Sequence, residues 1–479
     1  MANRIWKLNN LKKTMDYLRK NGVRHAYYAA LERVALERAA DYYYRAPEAQ
    51  VLAEQRRETK DYPYLFSIVV PAYETKEEFL REMIDSVRAQ SYSRWELIIV
   101  DASGSDVVEK CVKRILESKD DARIKYRRLA ENKGISGNTN EGIALAAGDY
   151  IALLDHDDLL APDALYYMAA AVHDGRQQAG VPALLYTDED KYDDSGRYFT
   201  TPHIKEKFNL DLILSNNYIC HFMAVEAELM KSLKLRAAFD GAQDYDLVLR
   251  VVGKLLESIP ACRLKERIVH IPRVLYHWRC HADSTAENTA SKCYAYDAGR
   301  EALLAFCAGQ HWQVNVEHGL HLGFYEIAYT PDLLAVRQEV GLVGGRLLDG
   351  RGRICGGAMA ADGTCMFEGL HKEYSGGLTH RAVLKQETPA VDIRCVQVRR
   401  ELQEEFAHIT GIPYRERTIR CRTGQSGRGA VCNIQIADVS GLSCDEAGYR
   451  KLSLELSGAA ADRGYLVVWN PQITCRTHR

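Results

Sequence analysis

The chain has 479 residues, enough for two or three domains. At 47% hydrophobic and 27% charged it has the composition of an ordinary globular protein. Its formal net charge of −2 excludes a bulk field that would gather nucleic acid, so no nucleic-acid partner is expected. No apolar run approaches the roughly 18 residues of a membrane span. The opening stretch MANRIWKLNNLKKTMDYLRKNG lacks the apolar core of a secretory signal, so the expected location is the cytoplasm. Of the 13 cysteines, the closest pair is Cys355 and Cys365, which excludes C-x-x-C and zinc-ribbon spacing. Free, mostly buried thiols are the expectation, and a disulfide framework is not.

Residues 1 to about 60 read as helix, rich in Leu, Ala, Tyr, Arg and Lys, with no proline before Pro47. Arg4, Lys7, Lys12, Lys13, Arg19, Lys20 and Arg24 stand against a single acid, Asp16. Two readings fit this basic leader. It lies on an anionic membrane surface, or it is a solvated helix packed on the next domain. The second is preferred.

From about residue 64 short apolar runs alternate with helical patterns. The runs are FSIVV (66–70), WELIIV (95–100), IKYRRL (124–129), YIALLD (150–155) and ALLYTD (183–188). Helical patterns lie between them near 77–90, 106–118, 137–147 and 162–173. This spacing predicts an α/β fold: a mostly parallel sheet with helices on both faces. Runs such as SIVV and LIIV suit strands buried on both sides.

Ligands of such sheets sit beyond the carboxyl ends of the strands. Those ends carry PAYET, then Asp101 with ASGSD, then DHDDLLAPDA. No G-x-G-x-x-G follows the first strand, and G-x-x-x-x-G-K-[ST], H-E-x-x-H and G-x-S-x-G are absent from the sequence. Clustered aspartates therefore point to phosphates neutralised through a divalent cation.

Asp155 and Asp157 close a nearly all-apolar strand, where ionised carboxylates need a metal or good hydrogen bonds. A D-x-D pair offers hard oxygens to Mg²⁺ or Mn²⁺, with diphosphate and water completing the shell. The alternative is a turn that caps the following helix. Asp101 suits a ribose or base contact, or equally a strand-end turn. Asp244 and Asp246 precede an apolar helical run. Either is an N-cap, or a carboxylate held there takes the proton of an acceptor hydroxyl. The run VLYHWRCHADSTAEN (274–288) brings His277, Arg279 and His281 together. Arg279 suits a diphosphate, His281 a metal or phosphate, and the alternative is a polar surface loop.

In order and spacing, FSIVVPAYET, SVRAQSYSRWELIIVDASGSD, ENKGISGNTNEGIALAAGDYIALLDHDDLLAPDAL, YTDEDKYD, NYICH, GAQDYDLVLRV and HIPRVLYHWRCHADSTA resemble glycosyltransferase family 2, with the GT-A fold. Bacterial enzymes of cell-surface polysaccharide synthesis, of the rhamnosyl-, galactosyl- and glucosyltransferase type, are the nearest likeness. The resemblance implies a nucleotide-sugar pocket lined by Pro71, Tyr73 and Glu74. It implies Asp101 at the base and Asn132, Gly134 and Asn138 in the loop beside it. Asp155 and Asp157 would meet sugar and metal, with His281 by the diphosphate and Asp244 as general base. The implied reaction is an inverting transfer from a UDP- or dTDP-sugar to a glycan or lipid-linked acceptor, with Mn²⁺ or Mg²⁺. It would take place at the inner face of the plasma membrane. Two departures stand out: Ala102 where many relatives carry a second acid, and Thr139 where many carry Arg.

Beyond about 325 the chain becomes Gly-rich and holds seven of the 13 cysteines. VGLVGGRLLDGRGRICGGAM, VDIRCVQVRRELQEE and AADRGYLVVWNPQITCRTHR look like the back half of a second family 2 unit without its nucleotide loops. IVHIPRVLYH and LVVWNPQITCR echo each other around Pro272 and Pro471, while Ser453 and Glu455 stand near where a base motif would fall. The expected division is a helical segment 1–62, a GT-A domain 63–324 and a degenerate accessory domain 325–479. The last would serve packing, acceptor binding or homodimerisation; the alternative is an unrelated small β-rich domain. Two other functions compete: a nucleotidyltransferase, disfavoured because PAYET is neither Gly-rich nor basic, and a non-catalytic nucleotide-sugar-binding scaffold.

Overall fold

A computed structural model describes residues 15, 17–19, 22–32, 42–118, 121–178, 180–193, 198–280, 293–377, 379–422 and 431–477. Its larger sheet contains nine strands: β1 (Phe66–Ala72), β2 (Trp95–Asp101), β3 (Ile124–Arg128), β4 (Tyr150–Leu153), β5 (Leu159–Leu160), β6 (Leu184–Asp193), β7 (Tyr198–His203), β8 (Met223–Glu226) and β9 (Ile268–Cys280). Their order is β3-β2-β1-β4-β8-β6-β9-β5, with β7 beside β6. The apolar runs read from sequence all become strands. Ile68 and Val70 bury against one side of the sheet and Val69 against the other, as continuous apolar runs require.

Only the β3-β2-β1-β4 half is wholly parallel. β8 lies antiparallel between β4 and β6, and β5 and β7 are also antiparallel to their neighbours. Parallel neighbours need a long crossover, whereas β8 is entered past only the four-residue helix Leu210–Ile213. The helix Gly134–Leu145 approaches the sheet closely enough that a Cβ on Gly142 would stand 2.4 Å from Val69 Cγ1. That contact fixes the loop that opens the helix.

A second sheet is centred on Val340–Leu348. This strand pairs parallel with Leu466–Arg476 and antiparallel with Ile354–Gly356 and Val396–Val398. In the first sheet β6 pairs parallel with β9 and antiparallel with β7 and β8. The two patterns are the same, down to the irregularity. The β6–β9 ladder steps from Thr187–Ile271 to Asp188–Val274 past Pro272. The other steps from Gly344–Trp469 to Arg346–Thr474 past Pro471. Proline has no N–H to give a ladder, so each strand bulges there. The sequence echo is thus a structural one, and among the described residues no counterpart of β1 to β4 accompanies it. Ser453 has a packing role: its Oγ accepts from the Ile393 amide at 3.0 Å and donates to the Tyr449 carbonyl at 2.7 Å.

The units are stitched together by buried polar contacts. Arg337 donates to Asp211 at 2.6 Å, the Leu210 amide donates to Glu387 at 2.6 Å, and the Asn209 side chain donates to the Glu387 carbonyl at 2.9 Å.

Two expectations need correction. Cys395 and Cys475 form a disulfide within the second sheet, with Cα atoms 6.1 Å apart. Cys475 lies on the strand Leu466–Arg476, and Cys395 ends the short turn Ile393–Cys395 just before the strand Val396–Val398; both strands pair with the same central strand, a proximity that sequence separation hides. The N-terminal segment is also not one helix: residues 42–48 are non-helical before the helix Ala49–Glu58. Pro47 disfavours helix in the residue before it. The leader packs on both units, as the preferred reading expected. Tyr42 donates to Asp190 at 2.7 Å, and the amides of Ser375 and Gly376 donate to Glu32 at 3.0 and 2.8 Å. Among the described residues no helix is long and apolar enough to cross a membrane.

Candidate active site

β1 pairs with β2 and with β4, so the segments leaving these three strands share one edge of the sheet. Glu74 follows β1 with a positive φ of 48°. Its amide donates to Ser103 Oγ at 2.8 Å, while its carboxylate accepts from the Gly104 and Ser105 amides at 2.8 and 3.0 Å and from Ser105 Oγ at 2.6 Å. These bonds, the Ser105 hydroxyl first, hold Glu74 below the usual carboxylate range. Glu74 is therefore a bracket between two loops, with Pro71 half-buried and Tyr73 exposed beside it.

Asp101 is fully buried. It accepts from the Ser103 amide at 2.9 Å and the Tyr126 hydroxyl at 2.7 Å. Both bonds come from within the fold and shape the loop. Asn132, Gly134 and Asn138 do form one unit. Asn132 Oδ1 accepts from the Gly134 amide at 3.0 Å and from Asn138 Nδ2 at 2.9 Å. Gly134 has φ +77°, and a Cβ there would meet Asp240 at 2.9 Å, so this loop abuts the one leading to Asp244.

In the D-x-D turn the side chains divide. Those of Asp155 and Asp157 are 45% and 24% exposed. Asp158 points inward, accepting from the Tyr276 hydroxyl and from the Arg279 amide at 2.7 Å. Burial, then the charges of Asp157 and Asp155, raise its pKa well above the carboxylate norm. Arg279 does not reach outward. Its side chain is wholly buried, donating to the Asp157 carbonyl at 2.6 Å and to Glu82 at 2.7 Å, with the guanidinium 4.5 Å from the Phe79 ring. The expected diphosphate clamp is instead a clasp on the D-x-D turn, because β9 aims this side chain beneath the turn. His281 lies outside the described residues, and His277 pairs with Asp190 at 2.6 Å.

Asp244 and Asp246 lie two apart at the start of the helix Gln243–Leu256, and the structure separates their roles. Asp246 is buried between Arg236 and Arg250. Asp244 takes no such pair: Asn217 Nδ2 donates to its Oδ2 at 2.8 Å. Burial is the largest influence on Asp244 and raises its pKa; Asp155 pushes the same way, and His221 and helix amides oppose them. His221 Nε2 lies 3.9 Å from Asp155 Oδ2, its ring stacked 4.8 Å from that of Tyr276. Asp155, His221, Asn217 and Asp244 thus converge. Sequence reasoning missed Asn217 and His221 as site residues, although NYICH had marked the segment.

The carboxylates of the β6 end were also missed. Asp188 meets His270 at 2.8 Å, Glu189 meets Lys205 at 3.2 Å, and Asp190 meets His277. Burial works against the charge of Glu189, yet Lys205 beside it draws its pKa down to about 2. Among the described residues no group of three or more His, Cys, Asp and Glu side chains is disposed to hold a metal. The donor set at the edge is two hard carboxylates.

Comparison with known proteins agrees with this architecture. A relative in Sinorhizobium fredii, the uncharacterized protein y4gI, is 39% identical over 255 residues, which is 53% of this chain and 26% of that protein. The O-antigen biosynthesis protein RfbC of Myxococcus xanthus is 35% identical over 248 residues, 51% of this chain and 18% of that protein. The chain therefore matches only about a quarter or less of these relatives' lengths. The Escherichia coli protein named UDP-Glc:alpha-D-GlcNAc-diphosphoundecaprenol beta-1,3-glucosyltransferase WfgD is 38% identical over 96 residues, 20% of this chain and 36% of that protein. The family model "Glycosyl transferase family 2" matches residues 67–233, the stretch that carries β1 to β8 and the D-x-D turn. Residues 67–233 thus carry a glycosyltransferase family 2 unit, and the larger sheet, most of which they form, has the GT-A fold of that family.

Proposed function

We propose that this chain is an inverting glycosyltransferase that moves a hexose from a UDP- or dTDP-sugar to a glycan or lipid-linked acceptor in cell-surface polysaccharide synthesis. The observation that carries the reading is Asp244. Its carboxylate is held by Asn217 and shares its surroundings with His221 and Asp155 at the edge where the strands end. A carboxylate with a raised pKa suits the removal of a proton from an acceptor hydroxyl. Asp155 and Asp157 would hold Mg²⁺ or Mn²⁺, their oxygens suiting a hard cation whose remaining positions go to diphosphate and water. When bound, that ion would act as a Lewis acid on the departing diphosphate. Arg279 and Asp158 keep the turn rigid from beneath, and Glu74 braces the nucleotide loops.

The domain boundaries near 62 and 324 follow from the same reading, with the second unit a degenerate partner that has lost the nucleotide loops. Its role in packing, acceptor binding or homodimerisation is part of the proposal, as is contact of the basic leader with the inner face of a membrane bearing the acceptor. The name of the WfgD relative supports a UDP-linked donor and a lipid-diphosphate acceptor. The test is a panel of UDP-, dTDP- and GDP-sugars with Mn²⁺, scored by donor hydrolysis. We expect turnover of a UDP- or dTDP-sugar that EDTA abolishes and Mn²⁺ restores. No turnover with any donor would favour a nucleotide-sugar-binding scaffold.

A further inference from the structure

A groove of about 530 Å³ opens beside Asn217, the residue that holds Asp244. One wall comes from the larger sheet: Glu189 to Lys191 of β6, Trp278 of β9, and Asn216 to Tyr218. The facing wall comes from Leu322, Gly323 and Phe324, and from Thr379 and Arg381 of the second unit. Neither unit closes this space alone.

Most of the charges on its walls are already matched. Lys205 is buried, bonding to Glu189 at 3.2 Å and to the Ile219 carbonyl at 2.6 Å. Glu189 also meets His203 at 3.3 Å, Asp190 pairs with His277, and Arg381 pairs with Glu206 and Gln386. Lys191 Nζ packs 5.4 Å from the Trp278 ring centre. A ligand carrying phosphates would find Lys205 and Arg381 already engaged by carboxylates. Apolar surface is plentiful instead: Trp278, Phe324 and Leu322, the last 49% exposed. Asn216 and Asn217 add amide groups to the lining. Apolar faces with a few placed polar groups suit an amphipathic ring that presents C–H groups on one side and hydroxyls at its rim.

We propose that this groove is the acceptor site and takes an uncharged pyranose residue, and that the second unit is kept because it completes the wall. The proposal rests on Asp244 being the base, since Asn217, which lines the groove, is also the residue that bonds Asp244. Any charged or lipid portion of the acceptor lies outside the groove.

The test uses the whole protein with UDP and Mn²⁺ and the methyl pyranosides of glucose, galactose, rhamnose and N-acetylglucosamine, read by saturation-transfer NMR. Leu322→Asp and Phe324→Ala are the variants; Leu322 is exposed, so its replacement leaves folding intact. Saturation should reach the ring protons of at least one pyranoside, and either variant should weaken that binding by about three- to tenfold. Donor hydrolysis should be unchanged in both. No pyranoside signal from a wild-type protein that hydrolyses donor would overturn the proposal, as would binding unaffected by both variants. Pyranoside binding without any donor hydrolysis would leave the groove standing and sink the transferase reading instead.

Discussion

Asp244→Asn is expected to lower the transfer rate by about 10²- to 10⁴-fold, the usual contribution of a general base, while nucleotide-sugar binding persists. The substitution keeps the shape and an oxygen for Asn217 Nδ2 but removes the proton acceptor. Single-turnover kinetics separate this from a binding defect, because the loss falls on the chemical step and not on donor affinity. The pH profile provides a second check. Burial raises the pKa of Asp244, so the acid limb of wild-type turnover should lie above the ordinary aspartate range, with activity falling as the carboxylate takes up its proton. Asp246→Asn makes a contrasting control. It breaks the buried pairing with Arg236 and Arg250 and should cost stability, leaving the chemical step of the folded fraction intact.

The largest expected effect on stability is at the joint between the units. Arg337 has no exposed side-chain surface, donates to Asp211 at 2.6 Å and to Glu339 at 2.7 Å, and lies 4.9 Å from the Trp312 ring. Arg337→Ala leaves the buried Asp211 without its cation and should cost about 3–5 kcal/mol. Urea unfolding would register this as a lower midpoint at unchanged slope. Replacing both partners, Arg337→Met with Asp211→Leu, should recover much of the loss, because two apolar groups of similar size leave no buried charge. An Arg337→Ala protein as stable as wild type would mean that the joint is not held by this pair.

The fold was legible wherever burial was uniform. FSIVV, WELIIV and YIALLD announced strands because both faces of that half of the sheet are covered, and the helices between them followed from periodicity. The antiparallel half was not legible. MAVE is only four residues long, and nothing local sets its direction; β4 and β6, distant in sequence, do. The Cys395–Cys475 disulfide was hidden for the same reason, as its partners are 80 residues apart and are brought together by strands that flank a third.

The site shows a similar division. Residue types at a strand end and at a helix start singled out Asp155, Asp157 and Asp244, whose proposed roles depend on the edge they occupy. Arg279 was misjudged because a charged residue at a strand end reads alike whether it faces ligand or fold. Only the burial of the Arg279 guanidinium beneath the D-x-D turn reveals which way it faces. Asn217 escaped notice because an asparagine in a connecting segment carries no signal until its amide is found against Asp244.

The central claim is that the Asp155–Asp157 edge binds a nucleotide sugar and that Asp244 directs a single displacement at its anomeric carbon. Proton NMR of the sugar first released when an α-linked UDP- or dTDP-sugar is hydrolysed with Mn²⁺ tests it most directly. A single displacement predicts that the β-anomer appears first and relaxes afterwards to the equilibrium mixture. Initial release of the α-anomer would contradict it.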